Sequence, residues 1–125
     1  MFQYTNTDKA PAAIGPYSQA ISANGMLFAS GQVPIDPDTG NLKGDTVTGQ
    51  AEQVCKNVGE LLKVNGLSFD DVIKTTCFLA DIKDFADFNA VYAKYFTSKP
   101  ARSCVAVKDI PKGALCEIEV IAIVR

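Results

Sequence analysis

The residue best suited to hold a small acid is Arg102, in the segment Pro100-Ala101-Arg102-Ser103-Cys104 at the entrance to a predicted strand. A planar guanidinium binds a carboxylate through two parallel hydrogen bonds, so an arginine at this point can grip an organic acid. The alternative is a solvated cation at a strand end, which is the commoner fate of an arginine. The residue types alone leave both interpretations open.

Two carboxylates, Glu117 and Glu119, stand on one face of the later apolar segment Cys116-Glu117-Ile118-Glu119-Val120. The rise of a strand places them about 7 Å apart. Either can orient or deprotonate a water molecule, and desolvation would raise a glutamate pKa whereas a close arginine would lower it. The alternative is a structural ion pair with Arg102 or with a lysine.

Hydroxyl groups occur in two segments rich in turn-forming residues. Tyr17 lies in Gly15-Pro16-Tyr17-Ser18-Gln19, and Ser30 and Gly31 lie in Phe28-Ala29-Ser30-Gly31-Gln32. Such segments can line a polar pocket, but the commoner interpretation is a turn, with the ring of Tyr17 packed in the core. Because the chain contains no histidine, Ser30 lacks the base of a serine-hydrolase triad.

The four cysteines predict no metal site. Cys55, Cys77, Cys104 and Cys116 are widely spaced, with no C-x-x-C pair and no histidine to complete a zinc site. Cys104 could be a nucleophile because it follows Arg102 on the same face of a strand, but a buried, inert thiol is the commoner outcome. We expect Cys55 and Cys77 to lie in the core and the protein to bind no metal.

Five strands and two helices must position these groups. Apolar residues recur at helical spacing from about Asp45 to Asn65, where Asn65-Gly66 is typical of a left-handed stop. A second helix begins at Asp81 or Asp84, carries an aromatic stripe and ends near Thr97. Strands are predicted near 20–21 and at 26–30, 72–79, 103–107 and 115–124, with a turn at 111–113 before the last one.

The order ββαβαββ, with room for one more N-terminal strand, predicts an α+β fold with a mixed sheet and both helices on one face. Alternation along the last strand places Glu117, Glu119, Ile121 and Ile123 on one side and apolar residues on the other. Both faces therefore carry apolar side chains, and two helices cover only one of them. We expect the second face to meet another subunit of a closed homo-oligomer.

The composition excludes several classes of protein. With 125 residues, 47% of them apolar and 21% charged, the chain is expected to form a single globular domain over residues 1–125. Twelve basic and fourteen acidic residues nearly cancel, so no overall charge favours nucleic acid or an anionic membrane. No apolar run predicts a membrane span or a signal peptide, so the cytoplasm is the expected location.

Five segments, taken in chain order, resemble the reactive-intermediate deaminase (Rid) family, and specifically its RidA branch. They are Gly15-Pro16-Tyr17-Ser18-Gln19-Ala20, Ser30-Gly31-Gln32, Asn89 in the second helix, Pro100-Ala101-Arg102-Ser103 and Glu117-Ile118-Glu119. Each segment by itself is weak evidence for the family. Their common order over nearly the whole chain argues against a chance agreement.

The resemblance implies a chorismate-mutase-like subunit and a homotrimer in which the sheets line a central barrel, with active sites in the clefts between subunits. It also implies hydrolysis of enamine and imine acids, such as 2-aminoacrylate and 2-iminobutyrate, to 2-keto acids and ammonia, without a cofactor. Carried over residue by residue, Arg102 would bind the substrate carboxylate and Glu117 would position the attacking water. Tyr17, Ser30, Gly31 and Asn89 would shape the cleft, and Cys104 would contribute mainly through its backbone.

The chain departs from the family pattern between Phe96 and Pro100. Only Thr97, Ser98 and Lys99 stand there, which is shorter than in many relatives, and a lysine precedes the proline where an aromatic residue is common. The size of the pocket and its preference for substrate side chains therefore stay open. Cys116 replaces the usual aliphatic residue before Glu117, a change that packing can accommodate.

Two other classes of function are alternatives to the deaminase. Some relatives carry a translation-inhibitor or endoribonuclease label, but a chain with no histidine and no basic cluster lacks the usual means of holding and cleaving RNA. In a ligand-binding or regulatory module, the cleft around Arg102 would sense a small acid without turnover. The same residues are compatible with this third class.

Overall fold

The structure is a computed structural model that describes residues 2–125. It contains six strands, β1 (Gln3–Thr5), β2 (Ala20–Ala23), β3 (Met26–Ala29), β4 (Val72–Leu79), β5 (Ala101–Ala106) and β6 (Cys116–Ile123), and two α-helices, α1 (Val47–Val64) and α2 (Phe85–Tyr95). The predicted order is confirmed, and the additional N-terminal strand is present as β1.

The strands form one mixed sheet in the order β1-β2-β3-β6-β4-β5. Within residues 2–125, β4 and β5 are the only parallel neighbours, and α2 is the crossover between them, as a parallel pair requires. The other neighbours are antiparallel. The predicted α+β class with a mixed sheet is confirmed, and β5, which carries Arg102, is an edge strand.

Helix α1 begins and ends with recognisable caps. The Thr46 hydroxyl accepts a hydrogen bond from the Gly49 backbone at 3.2 Å. At the other end, Gly66 has φ of 73°, and the backbone N–H groups of Gly66 and Leu67 donate to the carbonyls of Lys63 and Leu62, which is the Schellman arrangement. The helix C-terminus that Asn65-Gly66 predicted is thereby confirmed.

Both helices cover the same face of the sheet and pack against each other. Under them lie the alternate residues of β6, all buried: Cys116, Ile118, Val120 and Ala122. The opposite face carries Glu117, Glu119, Ile121 and Ile123, as alternation predicted, and no helix of the described chain covers it. Phe28 on this open face remains 43% exposed.

No helix within residues 2–125 combines the length and apolar character needed to cross a membrane.

Helix α2 differs in detail from its prediction. Asp81 caps a short 3-10 turn by accepting from the Lys83 backbone at 3.0 Å, whereas the Asp84 side chain makes no capping hydrogen bond. The helix ends at Tyr95, two residues before Thr97, because Phe96 leaves helical geometry with ψ of 64°. The segment from Phe96 to Pro100 can then turn back into β5.

Candidate functional site

Arg102 is held at the edge of the sheet by one face of α2. Its guanidinium carbon lies 4.7 Å from the centre of the Tyr92 ring and 5.6 Å from that of Phe85, and its Nη1 donates to Asn89 Oδ1 at 2.8 Å. Residues 85, 89 and 92 share a helix face, which explains why one helix provides all three contacts. The solvated-cation interpretation of Arg102 is therefore wrong.

Tyr92 is itself fixed from two sides. Its hydroxyl lies 2.8 Å from Thr75 Oγ1, and Thr75 is fully buried beside Arg102 in the β4–β5 ladder. Its ring stacks on Phe96 with centroids 4.3 Å apart. Burial raises the pKa of the Tyr92 phenol, which keeps it neutral. The platform under the guanidinium is thus tied to the core.

Cys104 lies next to this platform as an ordinary thiol. Burial raises its pKa, and the neighbouring Arg102 lowers it by a smaller amount. Such a thiol is not the anion that a nucleophile requires. Cys55 and Cys77 are fully buried, as predicted, and Cys116 is fully buried too. Within residues 2–125 no three Cys, Asp or Glu side chains form a group that could hold a metal ion.

Glu117 is placed against the backbone of Gly31. A Cβ at position 31 would collide with the carboxylate oxygen Oε2 of Glu117 and would stand 2.8 Å from its carboxyl carbon. Burial raises the pKa of Glu117, and repulsion from Glu119 adds to this. Among residues 2–125 the carboxylate has no hydrogen-bond or ion-pair partner, so the structural ion pair that was the alternative for Glu117 is not formed within the described chain.

A bulge brings Ser30 and Gly31 to this position. The antiparallel register passes from Phe28↔Ile121 to Gln32↔Ile118, so the β3 side has one residue more than β6 over this interval. Ser30 Oγ donates to the Ser18 carbonyl at 2.6 Å, and its backbone N–H donates to the Gln19 carbonyl at 2.9 Å. Ser30 therefore fastens the Tyr17 loop to the end of β3.

Tyr17 does not pack in the core. Its side chain is half exposed, and its hydroxyl accepts from the Ile14 backbone at 3.2 Å. The expectation of a core-packed ring is wrong because Gln19, not Tyr17, points inward and binds the backbone of Thr7, Ala10 and Pro11. Tyr17 is left on the rim of an open groove of about 530 Å³, which Ser30, Phe28 and Glu119 also line.

The candidate residues form two groups on opposite faces of the sheet. Arg102 is the ladder neighbour of buried Thr75, on the helix-covered face, and Asn89 and Cys104 accompany it. Glu117 is the ladder neighbour of Phe78, on the open face, together with the Ser30 and Gly31 bulge. Because neighbours across a ladder point to the same side, Arg102 and Glu117 of one chain cannot close around one small ligand.

Sequence reasoning missed three residues that position the candidate site: two that contact Arg102 and one that anchors the loop of Tyr17. Phe85 and Tyr92 belong to the aromatic stripe predicted for the second helix, and their spacing with Asn89 is a signal for a shared helix face. Gln19 stood in the polar segment with Tyr17, and nothing in its residue type separated an inward amide from an outward one.

Comparison with known proteins agrees with this fold. The family model described as Endoribonuclease L-PSP matches residues 7–124. AldR of Lactococcus lactis, named as a proposed regulator, is 55% identical over 117 residues, which cover 93% of this chain and 93% of that protein. The 2-iminobutanoate/2-iminopropanoate deaminase of Mus musculus is 48% identical over 119 residues, which cover 94% of this chain and 88% of that protein.

Solved structures match equally closely. YyfA of Yersinia pestis, described as a protein of unknown function of the conserved Rid protein family, has a TM-score of 0.96 at 49% identity, with 99% of this chain and 100% of that chain covered. E. coli TdcF, solved with bound serine, has a TM-score of 0.91 at 42% identity, with coverage of 97% and 98%. The chain therefore belongs to the Rid family, whose family model is described as Endoribonuclease L-PSP.

Proposed function

We propose that this protein hydrolyses the imine bond of small 2-imino acids, in a site that joins Arg102 of one subunit to Glu117 of a neighbour. The observation that carries the proposal is the separation of the two groups on opposite faces of one sheet, each without an ion-pair partner in the described chain. The deaminase name of the Mus musculus relative supports the reaction class.

The substrate would be a 2-imino acid, which carries its carboxylate next to the imine carbon. Arg102 would hold its carboxylate through two hydrogen bonds, and the Tyr92 and Phe85 rings and Asn89 would keep the guanidinium in one orientation. Substrates of this class, such as 2-aminoacrylate, become electrophilic at C2 once the enamine tautomerises to the imine. Orientation against a water molecule would then supply much of the acceleration.

Glu117 would act on the water. Burial raises the pKa of Glu117 above its ordinary value, which makes its carboxylate a better proton acceptor than that of an ordinary glutamate. The water oxygen would bond to C2 as its proton passes to the carboxylate, and the imine nitrogen would take up a proton. Collapse of this intermediate breaks the C–N bond and yields a 2-keto acid and ammonia, so imine acid plus water balances the products.

We propose a homotrimer with the open sheet faces turned inward around a central barrel. Phe28, Ile121 and Ile123 give that face its apolar character, and a closed assembly would cover it. In such an assembly the groove lined by Tyr17, Ser30 and Glu119 would meet the β5 edge of the next subunit, with the contact between Gly31 and Glu117 one residue beyond Ser30.

The first test is imine turnover. The parent should accelerate the loss of 2-iminobutanoate and 2-aminoacrylate generated by a coupled enzyme, and Arg102→Ala should lose most of this acceleration. Lys112→Gln, an exposed charge in the 111–113 turn, is the control and should stay active. An Arg102→Ala variant as active as the parent would disprove the role of Arg102.

Mixed assemblies test the shared site. Arg102→Ala and Glu117→Gln should each be inactive alone, whereas subunits refolded together at equal amounts should regain about one quarter of the parental activity, because that share of the interfaces joins an intact Arg102 to an intact Glu117. No recovery in assemblies shown by mass to be mixed would contradict a site built from two subunits.

A regulatory function is the second candidate, since AldR is named as a proposed regulator. It predicts tight binding of a keto acid without turnover of any imine. An RNA-directed activity finds less support, because the chain has a net charge of −2 and no histidine.

A further inference from the structure

A cavity of about 350 Å³ adjoins Arg102 between the end of α2 and the start of β5. Its walls are the rings of Tyr92 and Phe96 together with Pro100, and two cationic residues, Lys99 and Arg102, also line it. No carboxylate is among the lining residues. The volume falls in the range of small-ligand sites, and the charge of the lining favours an anion.

The backbone of Lys99 adopts a left-handed conformation and makes a hydrogen bond to the end of α2. It has φ of 55°, a left-handed conformation that costs a non-glycine residue free energy, and its N–H donates to the Phe96 carbonyl at 3.2 Å. Glycine or asparagine would occupy this position with less strain. Within residues 2–125 the Lys99 ammonium forms no ion pair, so its charge is available to a ligand.

The two cations are spaced for one short ligand. Three residues of extended chain span at most about 11 Å, and the exposed Lys99 side chain is long enough to reach toward the fixed Arg102 guanidinium. The cavity that both residues line offers apolar walls for a few methylene groups between two charged ends. A monocarboxylate with a methyl or ethyl side chain would leave Lys99 unused.

We propose that this cavity receives the second carboxylate of a dicarboxylic 2-imino acid of four or five carbons, with Lys99 holding that carboxylate and Arg102 the one next to the imine. This rests on the proposed deaminase function for the reaction, and it adds the substrate class. The bond changes are those of imine hydrolysis, with water consumed and ammonia released.

The experiment compares two imine substrates in three proteins. Flavin-dependent oxidation of aspartate or glutamate supplies a dicarboxylic imine, oxidation of 2-aminobutanoate supplies the monocarboxylic one, and imine loss is followed in both. The parent should favour the dicarboxylic imine, and Lys99→Gln should lower its kcat/KM about tenfold while leaving 2-iminobutanoate unchanged. Lys112→Gln is a close control, since Lys112 is also exposed and left-handed, with φ of 63°, but precedes β6 at the other end of the sheet.

Binding of the corresponding keto acids separates the two proposals. Lys99→Gln should weaken the binding of 2-oxoglutarate about tenfold and leave the binding of 2-oxobutanoate unchanged, whereas Arg102→Ala should weaken the binding of both acids. Equal effects of Lys99→Gln on both acids, or no effect on either, would overturn the dicarboxylate site even if imines are hydrolysed. Absence of imine turnover, with the binding pattern intact, would instead refute the deaminase function alone.

Discussion

The carboxylate of Glu117 occupies the space that a side chain at Gly31 would need. The bulge between β3 and β6 brings the Gly31 backbone up to β6, and the absence of a Cβ lets the carboxyl group rest against it. The position of the proposed general base therefore depends on a glycine 86 positions earlier in the chain, counted from 31 to 117.

Gly31→Ala should move the Glu117 carboxylate and leave the fold intact. Because small misplacements of a reacting group are costly, we expect kcat for 2-iminobutanoate to fall roughly 10- to 100-fold with little change in KM. Gly49→Ala, in α1, is the control, since a Cβ there meets only ordinary contacts at 3.6 Å. Steady-state kinetics of both variants checks this, and a fully active Gly31→Ala would show that Glu117 need not lie against residue 31.

Glu117→Gln should stabilise the protein at neutral pH. Burial raises the folded pKa of Glu117 above its ordinary value, so between these two values the folded state binds more protons than the unfolded state. The free energy of unfolding then falls as pH rises through that window. The variant escapes this loss, and its advantage should vanish below about pH 4, where the glutamate is protonated in both states.

Denaturant unfolding of parent and variant across this pH range measures the effect. Asp109→Asn removes an exposed carboxylate and serves as the control. An advantage of Glu117→Gln that grows toward acid pH would contradict the sign of the shift.

Tyr92 should act as a positioning residue for Arg102. Tyr92→Phe keeps the ring under the guanidinium and loses the contact with Thr75, so KM should change less than threefold and stability should fall by about 1 kcal/mol. Tyr92→Leu removes the ring, and KM should rise roughly 3- to 30-fold with kcat nearly unchanged. Tyr95→Phe, which loses a contact with Glu52 away from Arg102, is the control for general destabilisation. Equal KM values for Tyr92→Leu and Tyr95→Phe would argue against positioning.

Arg102→Lys should bind keto acids poorly although the positive charge is retained. An ammonium cannot offer two parallel N–H groups, nor replace the planar guanidinium over the Tyr92 and Phe85 rings, so keto-acid affinity should drop at least about tenfold. Titration calorimetry with 2-oxobutanoate checks the loss. Arg125→Lys, which keeps an ion pair with Asp71, should bind like the parent.

Local patterns in the sequence were sufficient for most of the fold. The helical spacing before Asn65-Gly66 predicted α1, and the β-branched run of β4 was predicted with the bounds that the structure has. These signals are local because helix periodicity, caps and strand alternation depend on neighbouring residues. The end of α2 was less accurate, because Phe96 leaves the helix to pack on Tyr92 and Phe69, contacts that no local pattern contains.

The amino-acid sequence by itself identified Arg102 and Glu117 as the residues with suitable chemistry, and alternation predicted which face of β6 carries the glutamate. Only the tertiary structure decided that Arg102 lies on the other face, that α2 supplies its aromatic platform, and that Lys99 shares its cavity. The physical reason is that residue type sets what a group can do, whereas the order of strands in the sheet and the path of the crossover helix set which groups meet.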